Sequence, residues 1–214
     1  AYQMLRSLVG SEMCIRDRSE TTVKVFDQMR KLQSYTDEGS PGRDWNVATG
    51  MVIEGKAGFQ IMGDWAKGEF TAAGKTPGVD YYCSPTPSNN GYLYNVDSFI
   101  FYKTSDPDKQ EGQKLLAKLM MGKNFQKVFN LYKGSIPARL DVSMDEFDKC
   151  AKTSNADIKT AGASGGLVPS FAHGMAQGNT MKAALQDIIT EHFNSDMSSV
   201  DAANALADSV LANM

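Results

Sequence analysis

The spacing of apolar residues along the chain predicts helices at both ends. From Glu20 to Tyr35, apolar side chains recur every three or four residues, which is typical of an amphipathic helix. A shorter helix is predicted from Asn46 to Glu54, where Gly55 ends it. The C-terminal region shows the same period over about Thr180 to Phe193 and Ser199 to Ala212. These segments therefore favour a helix-rich chain.

Helix-start and helix-stop signals place more helices in the middle of the chain. Asp106 followed by Pro107 combines an N-cap side chain with proline at the first helical position. After Gly122, a second helix is predicted to end at Lys133, because a glycine follows it. Two short helices are predicted further on, over about Met144 to Lys152 and Ala156 to Thr160.

Three apolar runs between the helices predict strands. AGFQIM is bounded by glycines and indicates a buried strand, VDYYCS indicates a second, and Tyr92 to Tyr102 forms the longest strand-like stretch. After the first run, Asp64 is expected to cap a short helix that carries Trp65 and Phe70. The glycine-rich stretch GASGGLVPS leads to His173, which is predicted to lie on a loop between Phe171 and Gly174. The fold class is therefore α/β, with more helix than strand.

Composition and charge narrow the classes of function. The 214 residues are 42% hydrophobic and 22% charged, as in ordinary globular proteins, and the net charge is −3. Lysine and arginine form no basic stripe, which argues against nucleic acid as a partner. No apolar run approaches the roughly 18 residues that span a bilayer, and the first residues lack the pattern of a signal peptide.

The first 18 residues do not fit the rest of the chain. The run SLVGSEMCIRDR resembles the translation of a sequencing or assembly joint, so residues 1–18 are set aside as an artefact leader; a genuine strand and turn is the alternative. Setting Cys14 aside leaves Cys83 and Cys150 of the three cysteines. An exported protein favours a disulfide between them, whereas a cytosolic one favours two buried thiols.

The chain carries no enzyme signature. GASGG lacks the lysine of a phosphate-binding loop, and no serine lies in a G-x-S-x-G turn. His173 and His192 have no second ligand at a metal-binding spacing. We therefore expect neither an enzyme nor a metal site, and no cofactor.

Four residues are candidates for ligand binding, and each has a structural alternative. Trp65 follows a predicted strand, where it offers either a stacking face or core packing. Asp97 interrupts an apolar run, so it either pairs with a cation or accepts hydroxyl protons. Lys133 at a helix end is either a partner of the helix dipole or a donor to a ligand. His173, on a predicted loop, is by itself more often structural.

Several motifs, in order along the chain, resemble one family. GRDWN, GKAGFQIMGDWAKGEF, YNVDSF, LYKGSIPAR and FAHGMA are similar to segments of bacterial extracellular solute-binding proteins of family 1, the glucose/mannose-binding branch of sugar ABC transporters. The resemblance runs from about Thr21 to the C-terminus. It implies that Trp65, Asp97, Lys133 and His173 contact a sugar, and it favours the disulfide between the two remaining cysteines.

The resemblance also implies an architecture and a role. The fold expected is part of a two-lobed periplasmic-binding-protein fold (type II). Residues 19–90 and 134–214 would form a partial C-terminal lobe, and residues 91–133 would return into the N-terminal lobe with hinge crossings at both ends. A monomeric periplasmic subunit that passes a monosaccharide to the membrane permease is implied, with its signal peptide absent from this piece. A disaccharide binder of the same fold, or a carbohydrate-active enzyme or accessory carbohydrate-binding domain, is the alternative.

Overall fold

The computed structural model describes residues 18–87 and 91–213. It is helix-rich and contains one small parallel sheet, as expected for the α/β class. The predicted leader up to residue 17, including Cys14, lies outside the described residues. The elements run in the order α1 (Glu20–Gln33), α2 (Trp45–Ile53), α3 (Lys67–Ala72), β1 (Tyr92–Tyr94), α4 (Pro107–Met120), α5 (Lys123–Lys133), α6 (Lys149–Ala163), β2 (Leu167–Pro169), α7 (Asn179–Asn194) and α8 (Ser199–Ala212).

The first of two compact units contains the described parts of residues 1–42, 88–95 and 165–214. Its core is a cluster of apolar side chains contributed by α1, α7 and α8, with Phe26 and Leu206 fully buried. Strands β1 and β2 pair in parallel, with Leu93 opposite Val168. The long-range packing of three helices therefore stabilises this unit, and the sheet is a small addition to it.

The second unit contains residues 43–87 and 96–164. Within it, the 3-10 turn Asp64–Ala66 leads into α3, and α3 packs against α5. The side chain of Asp106 caps α4 by accepting from the N–H groups of residues 108 and 109. Many large apolar side chains of this unit are exposed, as described below.

Local sequence signals gave the helices correctly in most places. The helices beginning at Glu20, Pro107 and Ser199 are confirmed with the predicted starts. The two short helices predicted between Met144 and Thr160 are instead one helix, α6. The side chain of Asp148 accepts from the Ala151 N–H, which starts this helix later than the apolar pattern suggested.

The strand predictions were largely wrong. Residues 57–62 form no strand, and the side chain of Phe59 is 95% exposed. Residues 79–84 contain only an isolated bridge at Tyr81, and the stretch predicted from Tyr92 to Tyr102 is a strand only over its first three residues. Conversely, β2 lies in the glycine-rich stretch GASGGLVPS, for which no strand was predicted. A strand requires a hydrogen-bonding partner as well as an apolar pattern, and among the described residues β2 provides one for β1 alone.

Residues 18–87 and 91–213 contain neither a membrane-spanning helix nor a cluster of metal ligands. No helix there is long and apolar enough to cross a membrane. No group of three or more His, Cys, Asp or Glu side chains there is arranged to hold a metal ion.

Candidate functional site

Trp65 lies on the 3-10 turn that precedes α3 in the second unit. Its half-buried indole folds back over Gly63, where an added Cβ would lie 2.1 Å from the ring. Any side chain at position 63 would therefore displace the indole. The Gly63 backbone thus packs against the Trp65 ring and limits its orientation.

The turn that carries Trp65 adjoins the end of α5. Gly134 ends α5 with φ +88°, a left-handed conformation that favours glycine. A Cβ on this residue would lie 2.6 Å from the backbone nitrogen of Gly68, and one on Gly68 would lie 2.8 Å from the Lys133 carbonyl oxygen. The two glycines thus allow the backbones of α3 and the α5 terminus to touch. The turn that carries Trp65 therefore lies near the helix end that carries Lys133.

Lys133 and Asp97 form an ion pair at this junction. The Lys133 ammonium donates to Asp97 Oδ2, and it lies 5.9 Å from the centre of the Phe129 ring. Asp97 lies in an irregular segment, so the strand expected around it is wrong, but the cation that its carboxylate was expected to meet is present. The pair is partly exposed, which keeps both groups within reach of a ligand.

Asp64, directly before Trp65 in the sequence, lies at the same junction. It was expected to cap the short helix, but the N-cap residue is Gly63, and no side chain caps this turn. Instead, Asp64 Oδ2 accepts from the Ile136 N–H at 3.2 Å, and the Ser135 side chain hydrogen-bonds to it. Burial raises the pKa of Asp64 above its ordinary value, although these hydrogen bonds and the Lys67 and Lys133 cations act against the shift.

A buried ion pair and a disulfide both involve the start of α6, and the ion pair connects it to Lys67, directly after the turn. Lys67 is 6% exposed, and its ammonium donates to Asp148 Oδ2 at 2.7 Å. Burial favours a higher pKa for Asp148, but hydrogen bonds from Lys67 and from backbone N–H groups outweigh it, so the pKa lies below its ordinary value. Cys83 and Cys150 form a disulfide with their alpha carbons 5.8 Å apart, within the usual range.

His173 lies in the first unit, in the turn after β2. Its Nδ1 lies 2.7 Å from the Ser170 hydroxyl oxygen, and its side chain is exposed. The hydrogen bond to Ser170 fixes the orientation of the imidazole. Three of the four candidates, Trp65, Asp97 and Lys133, thus lie on meeting segments of the second unit, whereas His173 belongs to the first.

Asp64 and Lys67 were not predicted from the sequence to lie at this junction. Both were hidden by a simpler interpretation, because an acidic residue before a helix is usually a cap and a lysine in a helix is usually exposed. A signal was nevertheless present in GDWAKGEF, where Gly63 and Gly68 flank these residues, and glycines at such positions permit close backbone approach.

Comparison with known proteins establishes the family. The sequence profile of the bacterial extracellular solute-binding proteins matches residues 7–161, more than two thirds of the chain. The chain belongs to this family. The description of this family and the names of the relatives point to solute binding.

Among individual relatives, a probable sugar-binding periplasmic protein of Brucella suis is 47% identical over 193 residues, covering 90% of this chain and 46% of the relative. A probable sugar-binding periplasmic protein of Rhizobium meliloti is 44% identical over 188 residues, covering 87% and 45%. An uncharacterized ABC transporter extracellular-binding protein of Pyrococcus horikoshii is 33% identical over 172 residues, covering 80% and 38%. The chain thus spans about half the length of the curated relatives it matches.

Proposed function

We propose that this chain is part of the extracytoplasmic substrate-binding subunit of a carbohydrate ABC importer. The subunit binds a monosaccharide of the glucose or mannose type and delivers it to a membrane permease. The observation that carries the proposal is the accessible ion pair of Asp97 and Lys133, in a chain whose relatives are named sugar-binding periplasmic proteins. The end of α5, which carries Lys133, also contacts the start of α3, directly after the turn that carries Trp65.

The chemistry of a pyranose fits these side chains. One face of the sugar ring is a layer of C–H groups, which packs well on a flat indole such as that of Trp65. Its hydroxyl groups require both donors and acceptors, and Lys133 and Asp97 supply one of each. Because the two side chains already hold each other, they are oriented before a ligand arrives, which lowers the entropy cost of binding. His173 is proposed as a further polar contact.

We further propose that the chain is the second part of a longer polypeptide with two lobes. Its coverage of about half of each relative supports this view. In the lobed arrangement, residues 19–90 and 134–214 belong to one lobe and residues 91–133 enter the other, with hinge crossings near both ends of that excursion. Closure of the lobes on the sugar presents a distinct form to the permease.

The exposed apolar surface of the second unit supports the same proposal. The exposed fractions are 60% for Phe99, 77% for Ile100 and 60% for Leu119. An apolar groove of about 510 Å³ lies between α4 and α5, lined by Leu115, Lys118, Leu119, Gly122, Asn124, Phe125 and Val128. Soluble proteins rarely leave such surfaces uncovered. We assign the preceding half of the polypeptide as their cover.

Calorimetric titration tests the proposed function. The 214-residue chain and the longer polypeptide are each titrated with glucose, mannose and a disaccharide. The longer protein should bind a monosaccharide, and the present chain should bind it weaker than millimolar, because one wall of the site is missing. Good ligand sites bury about 70–90% of the ligand surface, and each tenfold loss of affinity corresponds to about 1.4 kcal/mol. Tight binding by the present chain alone contradicts the two-lobed arrangement.

The role of Trp65 is tested in the longer protein. Trp65→Ala should weaken sugar binding by about 1–3 kcal/mol, the range for truncation of a central aromatic contact, whereas Trp65→Phe should retain most of the affinity. Equal affinity in all three proteins would remove Trp65 from the site. Preference for the disaccharide would support that alternative ligand, and hydrolysis of nitrophenyl glycosides would support an enzyme instead.

A further inference from the structure

The Asp64 carboxylate connects two segments that carry proposed sugar contacts. It precedes Trp65 directly in sequence, and its Oδ2 accepts from the backbone N–H of Ile136, three residues after Lys133. Ser135 adds a hydrogen bond from its buried side chain. One carboxylate thus links the Trp65 turn to the segment that leaves α5.

Close backbone contact and side-chain hydrogen bonds both join these segments. Gly68 and Gly134 have no side chains, so the backbone crossing itself offers contact without a specific interaction. The Lys67 ammonium bonds to Asp148 at the start of α6, while the first carbon of its side chain packs beside Gly134. The Asp64 side chain reaches from the turn to residues 135 and 136 with two hydrogen bonds.

We propose that Asp64 is a positioning residue, which fixes the Trp65 indole relative to the Lys133 ammonium by bonding to the backbone of Ile136 and to Ser135. The proposal rests on the sugar-binding function proposed above, because it assigns Asp64 to the same site. Asp64 acts through Trp65 and Lys133 and need not touch the ligand.

The energetics of the carboxylate agree with a positioning role. Burial disfavours the charged form of Asp64 and raises its pKa, so the residue does not gain stability from its own ionisation. Its hydrogen bonds do have a directional effect, because accepting from a backbone N–H and a hydroxyl at the same time restricts how the two segments can be arranged. The arrangement of the site therefore depends on Asp64 more than the stability of the fold does.

Three variants separate positioning from direct contact. Asp64→Ala removes the acceptor, Asp64→Asn keeps an uncharged acceptor of the same shape, and Asp145→Ala removes an exposed carboxylate elsewhere in the same unit as a control. Hydrogen exchange at the Ile136 amide is measured in the 214-residue chain, and glucose affinity in the longer protein. A lost hydrogen bond to a charged group should change each by roughly tenfold or more.

We expect Asp64→Ala to speed exchange at Ile136 and to weaken glucose binding, while Asp64→Asn and Asp145→Ala stay within about threefold of the parent protein. With Trp45→Phe added to every protein, Trp65 is the remaining tryptophan. The wavelength of its fluorescence emission should shift in Asp64→Ala but not in Asp64→Asn or Asp145→Ala. Unchanged exchange in Asp64→Ala overturns the proposal. Equal loss of affinity in Asp64→Asn and Asp64→Ala also overturns it, because it would make the charge itself a sugar contact.

The outcomes remain informative if a variant or the sugar assay fails. Ser135→Ala removes one of the two hydrogen bonds and keeps the carboxylate, so a smaller increase in exchange at Ile136 is expected even if Asp64→Ala does not fold; no increase counts against the proposal. If the parent protein binds no sugar, the proposed function fails, whereas the exchange and fluorescence results still decide whether Asp64 holds the two segments.

Discussion

His192 places a titratable imidazole in the core of the first unit. The side chain is fully buried on α7, its ring meets Phe26 edge-on at 4.8 Å, and its Nε2 lies 3.5 Å from the Ser199 hydroxyl oxygen. Its Nδ1 has no hydrogen-bond partner among the described residues. Burial and the nearby Arg30 cation lower the pKa of His192, and Asp27 only partly opposes them. The folded unit therefore favours the neutral ring.

The stability of this unit should consequently depend on pH on the acid side. Because the folded pKa of His192 lies below the ordinary value near 6.5, the unfolded chain binds more protons as the pH falls through that value. Above about pH 6.5, the free energy of unfolding should not depend on this histidine. Below about pH 6.5 it should decrease as the pH falls, until the pH passes the folded pKa. Urea unfolding between pH 7.5 and 5 measures the effect.

The other histidine supplies the control. His192→Gln cannot bind the extra proton, so its free energy of unfolding should lose this part of the pH dependence, whereas His173→Gln, at the exposed histidine, should keep it. Parallel curves for the parent chain and His192→Gln would show that His192 is not responsible.

The Lys67–Asp148 pair is the second buried charge at the residue scale. Asp148→Ala removes the N-cap of α6 and leaves the Lys67 ammonium buried without its partner. We expect the free energy of unfolding to decrease by about 2–4 kcal/mol. This is less than for most broken buried ion pairs, because Asp148 is partly exposed. The double variant Lys67→Met/Asp148→Ala, compared with Lys67→Met and Asp148→Ala alone, should lose less stability than the two single variants summed. Additive effects of the single substitutions would contradict a direct coupling.

At the scale of elements, the disulfide connects an irregular segment to the start of a helix. Cys83 follows Tyr81, whose ring stacks on Phe70 of α3 with centroids 4.1 Å apart. Burial, followed by the charge of Asp148, raises the pKa of Tyr81 to about 12, so the phenol stays protonated at physiological pH. The bond to Cys150 thus holds residues 81–83 against α3 and α6 without a strand.

Removing the disulfide should cost about 4 kcal/mol in the free energy of unfolding, because the cysteines are 67 residues apart and the bond restricts the unfolded chain. Cys83→Ser/Cys150→Ser is compared with the parent chain, both in a Cys14→Ser background, by urea unfolding. Thiol labelling of the unfolded, oxidised parent should find no free thiol from the pair. Equal stability with and without the bond would contradict the expectation.

Among the elements, the apolar patterns predicted more strand than the structure contains. The runs around Phe59 and Ile100 are apolar and strand-like, yet neither is a strand and both side chains are exposed. An apolar alternation states which residues need burial, but a strand forms only when a neighbour supplies its ladder of hydrogen bonds. Helices satisfy their own backbone groups, which explains why α4, α5 and α8 were predicted well.

At the scale of the whole molecule, the exposed apolar surface of the second unit gives a complementation test. We expect the preceding half of the polypeptide, produced with the 214-residue chain, to form a soluble one-to-one complex that recovers sugar binding. Burial of apolar surface is the driving force. Size-exclusion chromatography with light scattering measures the complex, and calorimetry measures the sugar affinity.

Matched charge substitutions locate the surface. Leu115→Glu in the groove between α4 and α5 should weaken the complex, whereas Val200→Glu, at a similarly exposed apolar residue of the first unit, should leave it intact. Failure of the two halves to associate would contradict the assignment of the preceding half as the cover.

The sequence by itself determined the family, the class of fold and most helix boundaries. These depend on local signals, such as the Asp106–Pro107 start and the glycine after Lys133, and on motifs that are contiguous in the chain. It also drew attention to Trp65, Asp97, Lys133 and His173 as candidates.

Only the tertiary structure decided how those residues are used. It pairs Asp97 with Lys133 across 36 positions and makes Asp64 an acceptor for Ile136 rather than a helix cap. It also gives residues 57–62 and 96–102 no strand partner in the part of the chain that is described. The reason is physical: a capping signal acts within one turn of the chain, whereas an ion pair, a buried acceptor or a strand partner depends on which distant segment folds against it.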